Sequence, residues 1–264
     1  MTKNQRDRNI KIRPTEEHRV FQLSQSQRTS IELVSKKIQH LQQQLANSLA
    51  PFVKIAGQLS QHSEIVSKVE ASGILPHSST PWHLVSGELD AENLGEVILQ
   101  FYRENWQTIE FEIYKNAITY QLDPESLETF KEALYAHKCG LYRSVVRLLL
   151  PEVERVVRSE FNDGKPGHIS NFPAKIGQLS LAEVMDIESG FPIFRKIRSH
   201  LYRNVKSQTD VDDLMNDAVP NRHAAIHGIV AYNSYANSLN TIIMADFMFN
   251  ATSKIKQRSK TPNS

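Results

Sequence analysis

Apolar residues recur every three or four positions along several stretches of the chain, which is the spacing of one face of an α-helix. The first stretch runs from Ile31 to Phe52, where glutamines fill many of the other positions and Pro51 is expected to end or kink the helix. This helix could pack on its own domain. Because it is short for an independent coiled coil, the alternative is that it binds a partner or a second copy of the chain.

The connection over residues 72–87 is rich in proline, serine and glycine. Its Leu75 and Trp82 are expected to pack against the rest of the protein, because large apolar side chains are unfavourable in water. Its two histidines, His77 and His83, are expected at the surface or as caps rather than as ligands.

Local signals then predict two successive helices. Residues 97–120 are rich in aromatic side chains and contain neither glycine nor proline, which favours a helix over a strand. Asp123 and Pro124 are typical of a helix start, with the aspartate as the cap and the proline in the first turn. Gly140 is expected to end this helix.

The remaining pattern is also helical. Residues 141–161 have a broad apolar face, which Pro151 is expected to interrupt. The last element is predicted to begin near Pro220 and to continue through Asn250, with apolar residues all along it. Four or more long helices with short breaks predict an all-α fold, a helical bundle with an additional N-terminal helical segment.

Composition limits the chemistry and the cellular location expected of the protein. The chain has 264 residues, of which 40% are hydrophobic and 23% charged. Its one cysteine, Cys139, can form neither an internal disulfide nor a paired-thiolate zinc site, and only His137 lies near it as a partner for a nucleophile. No apolar run approaches the roughly 20 residues that span a bilayer. We therefore expect a cytoplasmic location and no membrane contact.

The net charge of +2 is a sum of unlike segments, since residues 1–13 carry a net +4, residues 254–260 another +4, and the body between them about −6. Basic ends of this kind are mobile solubilising tails or arms that touch nucleic-acid phosphates. This distribution of charge argues against a protein that coats RNA, but it permits an enzyme that binds one phosphate group at its site. The predicted division is a basic flexible tail (1–24), a helical segment with the connection (25–87), a helical domain (88–252) and a second basic flexible tail (253–264).

The segment PNRHAAIHG, residues 220–228, carries the candidate chemistry. It places Arg222, His223 and His227 in the first turns of an apolar helix, which is an unfavourable place for polar groups unless they face a partner or a cavity. Histidine exchanges protons near neutral pH, and arginine stabilises negative charge on a phosphorane. RNA supplies its own nucleophile, the 2′-hydroxyl, so these residues predict cleavage of RNA without a metal ion or another cofactor.

Helix geometry constrains this site. Positions 222 and 227 lie about 140° apart on a straight helix, whereas His223 and His227 share a face. The reach of the arginine, or a facing motif from a second protomer, is needed to bring Arg222 and His227 together. Glu154, a polar residue among valines, is expected to be buried against Arg222 or His227.

Three further residues are candidates for substrate binding: Asn221 at the helix start, and Arg143 and Arg147, which lie one turn apart. Residues 195–206 contain several basic side chains and no acid, and could extend this surface along an RNA backbone. The alternative is a solvated face whose charges are paired with the aspartates that follow.

The motif resembles that of the HEPN superfamily (higher eukaryotes and prokaryotes nucleotide-binding), whose ribonuclease members carry arginine, four to six residues, and histidine. Here the pattern is Arg222, four residues, and His227. Residues 133–157, ALYAHKCGLYRSVVRLLLPEVERVV, resemble the penultimate helical hairpin of bacterial abortive-infection-like HEPN proteins. The resemblance covers residues 95–250.

This resemblance implies a helical bundle that forms a homodimer, so that two motifs face each other in one composite site. Arg222 and His227 would be the catalytic pair and His223 a polar helper, with RNA as the substrate and no metal. Such proteins often act as toxins or phage-defence effectors, and an antitoxin or defence partner could bind the Ile31–Phe52 helix. Other members bind nucleotides or serve as scaffolds without cutting RNA.

Two other interpretations of the motif remain. Arg222 could pair with a carboxylate such as Asp217 while His227 is satisfied between helices. His223 and His227 also have the spacing of metal ligands, with an oxygen from Asp212, Asp213 or Asp217. Against a metal, Arg222 would repel a cation, and the glutamate of the H-E-x-x-H motif is missing.

Overall fold

A computed structural model describes residues 63–85, 89–161 and 195–260, together with Lys36 and Ile193. The chain divides into two units, Met1–Gln58 and Leu59–Ser264, and all the helices below belong to the second. The predicted Ile31–Phe52 helix and the first basic tail lie outside the described residues, apart from Lys36, which is helical. The second unit begins before the boundary predicted at residue 87, because residues 69–85 contribute side chains to its core.

Within the described residues every regular element is helical, so the predicted all-α class is confirmed. None of these helices combines the length and apolar character needed to cross a membrane. Short 3₁₀ turns occupy Trp82–Leu84 and Ile118–Tyr120, and a π-helical turn occupies Ile197–Leu201. The helices are α1 (residues 63–71), α2 (Ala91–Ala117), α3 (Pro124–Lys138), α4 (Tyr142–Phe161), α5 (Gln208–Asn216), α6 (Arg222–Ile226) and α7 (Tyr235–Lys260).

The helix starts and stops predicted from local signals are confirmed. Asp123 caps α3, with its carboxylate accepting a hydrogen bond of 3.0 Å from the Ser126 amide, and Pro124 occupies the first turn. Gly140 follows the C-terminal end of α3 with φ of +76°, a left-handed conformation that glycine adopts without strain. The aromatic-rich stretch of residues 97–120 is helical, as its lack of glycine and proline indicated.

Pro151 does not interrupt α4, contrary to the prediction. The helix continues for 20 residues with the proline inside it. Its apolar face is buried over the whole length, and this packing stabilises the helix despite the missing amide hydrogen. The buried residues of that face are Val145, Val146, Leu149, Val153, Val156 and Val157.

The last predicted helix is in fact two helices. Gly228 adopts φ of +69°, and the amides of Gly228 and Ile229 bond back to the carbonyl oxygens of Ala225 and Ala224, which closes α6. The next helix, α7, begins only at Tyr235 and extends to Lys260. Residues 253–260, predicted to be a flexible tail, therefore form its last turns.

Helix α7 lies at the centre of the bundle. It packs most extensively against α4 and also contacts α2 and α3. Residues 237–249 are all buried, so the helix has no solvent-facing side over that length. Its polar side chains therefore need partners inside the protein: Asn237, Ser238, Asn240, Thr241, Asp246, Thr252 and Ser253.

Asn240 joins α7 to two separate segments. Its side-chain oxygen accepts a hydrogen bond from the Leu75 amide at 2.8 Å. Its side-chain nitrogen donates to the carbonyl oxygens of Gly73 at 2.8 Å and Ala218 at 3.1 Å. This one amide therefore fixes the connection between α1 and α2 and the chain just before α6. Leu75 is buried, and Trp82 packs against the core, as predicted.

His77 is buried rather than at the surface, but its ring accepts a hydrogen bond from the Ser79 amide, which is the predicted capping role, and His83 is exposed. The His77 ring bonds Asp246 of α7 through Nε2 at 3.1 Å and the Ser79 hydroxyl through Nδ1 at 2.7 Å. The same Asp246 oxygen accepts a hydrogen bond from the Tyr120 hydroxyl at 3.3 Å. The histidine thus partners a buried carboxylate that lies 169 residues away in the chain.

A second buried histidine lies among aromatic rings. His137 on α3 has its ring centroid 4.1 Å from that of Trp106 and 4.5 Å from that of Tyr235. Its Nδ1 is 2.7 Å from the Ser238 hydroxyl of α7. Burial lowers the pKa of His137 to about 3, so the folded protein holds the neutral ring at ordinary pH.

We expect His77→Ala to lower the free energy of unfolding by about 2 kcal/mol, because it deprives the buried Asp246 carboxylate of its histidine partner. Urea unfolding at neutral pH measures the change. Ser78→Ala, at an exposed neighbouring position, is the control and is expected to cost less than about 0.5 kcal/mol. Equal losses in the two variants would contradict a role for the His77–Asp246 bond.

His137 predicts a pH dependence of stability. The unfolded chain takes up a proton at this histidine below about pH 6.5, whereas the folded protein does so only near pH 3. The stability that this residue contributes is therefore complete above pH 6.5 and is lost as the pH falls. Between pH 7 and pH 5 the wild type is expected to lose about 2 kcal/mol more than His137→Phe, measured by urea unfolding. Parallel losses would contradict the lowered pKa.

Candidate functional site

The segment before α6 is anchored by Asn221. Its side-chain nitrogen donates to the carbonyl oxygens of His200 at 2.6 Å and Arg203 at 2.9 Å. Its side-chain oxygen accepts from the Ala224 amide at 2.9 Å and caps α6. Asn221 is fully buried and both of its amide hydrogens are used, so it positions α6 and has no donor left for the substrate contact predicted from the sequence.

Asp217 and His200 hold the same segment from the other side. His200 Nε2 lies 2.7 Å from the Val219 carbonyl oxygen, and the Asp217 carboxylate accepts from Lys196 at 2.8 Å and from the Val219 amide at 2.9 Å. Burial would raise the pKa of Asp217, but these hydrogen bonds outweigh it and hold the pKa below its usual value. Asp217, which the alternative interpretation paired with Arg222, is therefore paired with Lys196.

The two histidines of the motif lie side by side. Their ring centroids are 4.5 Å apart, with an angle of 56° between the ring planes. His223 is half-buried, and His227, at the C-terminal cap of α6, is exposed. The predicted shared face of His223 and His227 is confirmed.

Arg222 is directed at α4, where it forms an ion pair of 2.5 Å with one oxygen of Glu154. Arg158 forms an ion pair with the other oxygen of the same carboxylate. Glu154 is buried, as predicted, and its partner in the motif is Arg222. The two residues proposed as the catalytic pair thus contact different partners, since Arg222 pairs with Glu154 and His227 with His223.

Arg147 comes close to the histidine end of α6. A Cβ atom added to Gly228 would lie 4.0 Å from Nη2 of Arg147, so the guanidinium is next to the turn that follows His227. Arg143 and Arg147 are both exposed on α4. The structure therefore brings Arg147 to the motif, with Arg143 one turn further along.

Three cations of the basic segment 195–206 form ion pairs with acidic side chains. Its described ion pairs are Arg195–Glu70, Lys196–Asp217, Arg203–Asp210 and Arg203–Asp213. Lys196 and Arg203 are paired with aspartates that follow the segment, as the alternative interpretation predicted, whereas Arg195 is paired with Glu70 of α1. Across the residues that the structure describes, no group of three or more histidine, cysteine, aspartate or glutamate side chains has the arrangement of a metal site.

A cleft of about 460 Å³ opens beside Arg222. Sequence reasoning overlooked Arg158 and Arg155, which line it. The signal for Arg158 was present, because a glutamate four residues before an arginine on a helix forms an ion pair. The lining residues are Pro151, Glu154, Arg155, Arg158, Ser159 and Arg222.

In comparisons with known proteins, no family model, no curated protein and no solved structure matches the chain. The chemistry of the site therefore follows from its own residues. They comprise two adjacent imidazoles that can transfer protons, one of them exposed, together with guanidinium groups from α4 and α6 that can bind anions.

The double ion pair of Glu154 predicts a stability effect. Glu154→Gln is expected to lower the free energy of unfolding by about 2 kcal/mol, because Arg158 and Arg222 both lose their carboxylate partner. Chemical denaturation measures the change. The control is Glu128→Gln, which removes an exposed carboxylate paired with Lys131 and is expected to cost less than about 0.5 kcal/mol. A Glu154→Gln variant as stable as the control would show that the double pair contributes nothing.

Proposed function

We propose that this protein is a metal-independent endoribonuclease of the HEPN type, with His227 and Arg222 as catalytic residues and His223 as their helper. The observation that supports it best is the adjacent, solvent-accessible pair His223 and His227, with Arg147 next to the following turn. The resemblance of the Arg222–His227 motif to HEPN ribonucleases supports the same activity.

In the proposed reaction a neutral imidazole takes the proton from the RNA 2′-hydroxyl, and O2′ attacks the adjacent phosphorus. The bond from phosphorus to O5′ breaks, and O5′ takes a proton from a protonated imidazole. The products are a 2′,3′-cyclic phosphate and a 5′-hydroxyl. Arginine stabilises the extra negative charge on the phosphorane oxygens, and DNA cannot react because it lacks the nucleophile.

The proposal includes a homodimer. Within one chain Arg222 is paired with Glu154 while His227 lies at the C-terminal cap of α6, so the arginine of a second copy would complete the set. Ile226 and Ile229 flank His227 and are 37% and 38% exposed, and a facing copy would cover them. In the cell we propose a cytoplasmic toxin or phage-defence effector, which a partner could restrain through the Ile31–Phe52 segment.

The Arg222–Glu154 ion pair favours a second candidate function. If Arg222 serves only to attach α6 to α4, the protein is a non-catalytic relative that senses a nucleotide or binds a partner. In that case the histidine pair has no role in breaking a phosphodiester bond.

Cleavage of RNA by the purified full-length protein in buffer containing EDTA tests the proposal. The wild type is expected to cut single-stranded RNA, and His227→Ala and Arg222→Ala are each expected to lower the rate by about 100-fold or more, because proton transfer or charge stabilisation is lost. A 2′-deoxy substitution at a cleaved position is expected to block cutting there.

His83→Ala is the matched control, because His83 is an exposed histidine outside the motif. It is expected to cut at the wild-type rate, and identical purification of all variants excludes a contaminating nuclease. Circular dichroism verifies that each variant is folded. Intact RNA with the wild type, or equal cutting by His227→Ala, would favour the non-catalytic candidate.

A further inference from the structure

Two arginines share a single buried carboxylate at the cleft between α4 and α6. Glu154 receives Arg158 on one oxygen and Arg222 on the other, and its own side chain is only 9% exposed. One negative charge therefore serves two permanent positive charges. A third arginine, Arg155, also lines the cleft, so the lining carries three cations against one anion.

Arg155 forms no described ion pair with Glu154, because its guanidinium is held by Asp123, Glu152 and Ser126. The uncompensated charge is therefore concentrated on Arg158 and Arg222. Their two side chains remain 40% and 29% exposed, so part of each is accessible from the cleft.

Both of these arginines also have an unused donor. The Nε–H groups of Arg158 and Arg222 are buried and find no hydrogen-bond partner among the described residues. A buried donor on a charged group is costly when it lacks an acceptor. The site therefore combines excess positive charge with unsatisfied N–H groups on the same two side chains.

We propose that this cleft binds a phosphate group through Arg158 and Arg222, with Glu154 as the positioning residue that holds both guanidinium groups. A phosphate offers enough oxygens for two arginine forks, and a monoester carries nearly two negative charges at neutral pH. A carboxylate ligand would duplicate Glu154, which already occupies that role. The cleft volume of about 460 Å³ exceeds a phosphate and leaves room for the attached nucleoside.

The phosphate could belong to the backbone of a nucleic acid or to a free nucleotide. Both present the same oxygens to Arg158 and Arg222, and the hydroxyl of Ser159 in the lining can also bond either. The inference shares Arg222 with the proposed ribonuclease, but it concerns binding alone and would hold for a protein that does not cut RNA.

Calorimetric titration of the full chain tests the inference with three probes: AMP, adenosine and an octathymidylate without terminal phosphates. None of them can be cut at a 2′-hydroxyl. At least one phosphate-bearing probe is expected to bind the wild type, and adenosine is expected to bind at least about tenfold more weakly than AMP if AMP binds. Binding of AMP alone assigns the site to free nucleotides, and binding of the oligonucleotide alone assigns it to a nucleic-acid backbone.

Arg158→Gln is expected to weaken the bound probe by about tenfold or more, because one charged fork is removed. Arg158→Lys, which keeps the charge but loses the fork, is expected to fall between this variant and the wild type. The control Lys115→Gln removes one exposed cation on α2 and is expected to stay within about twofold.

The inference is wrong if neither phosphate-bearing probe binds at millimolar concentration, or if Arg158→Gln binds as tightly as the wild type. If Arg158→Gln does not fold, the Arg158→Lys variant and the comparison of AMP with adenosine decide the question. These outcomes do not depend on RNA cleavage, so a failed cleavage assay and a failed binding assay are distinguishable.

Discussion

The arrangement of the second unit depends on a helix that is buried on all sides and yet carries polar groups. Over residues 237–249 water cannot satisfy the side chains of α7, so each polar one needs a partner from a neighbouring segment. Asn240 forms hydrogen bonds with the backbone of Gly73 and Leu75, Ser238 with the ring of His137, and Asp246 with the ring of His77. Apolar packing alone would tolerate some sliding of these neighbours, whereas hydrogen bonds of this kind select one register.

The same constraint reaches the candidate site. Asn237 and Asn240 both donate to the carbonyl oxygen of Ala218, and this fixes the chain just before α6. Asn221 then ties the start of α6 to the carbonyl oxygens of residues 200 and 203. A helix of five residues has little stability of its own, so its histidines are held in place by these buried amides and by the Glu154 ion pair.

Features that depend on nearby residues could be predicted from the sequence. The Asp123 cap, the end of α3 at Gly140 and the shared face of His223 and His227 follow from helix geometry and backbone preferences. The end of α6 at Gly228 could also have been predicted, because a glycine after a short helix is a common stop signal. The apolar residues beyond it instead favoured one continuous helix.

Contacts between distant segments could not be predicted in the same way. Nothing in the spacing of His77 and Asp246 indicates that they meet, because folding brings them together only when α7 enters the core. The polarity of Glu154 on an apolar helix did indicate a buried partner, and Arg222 is that partner. Its second partner, Arg158, completes the cleft and was not anticipated, although it lies on the same helix one turn away.

Pro151 gives α4 a mechanical property that its neighbours lack. A proline has no amide hydrogen to donate, so the carbonyl oxygen of Arg147 misses its usual bond from four residues ahead. The bending stiffness of a helix is lowest where such a bond is absent. Arg147, beside the histidines, and Glu154, in the arginine cleft, lie on opposite sides of that point. A small flexion of α4 at its middle would therefore move Glu154 and Arg158 relative to Arg147, which lies on the same helix beyond the bend.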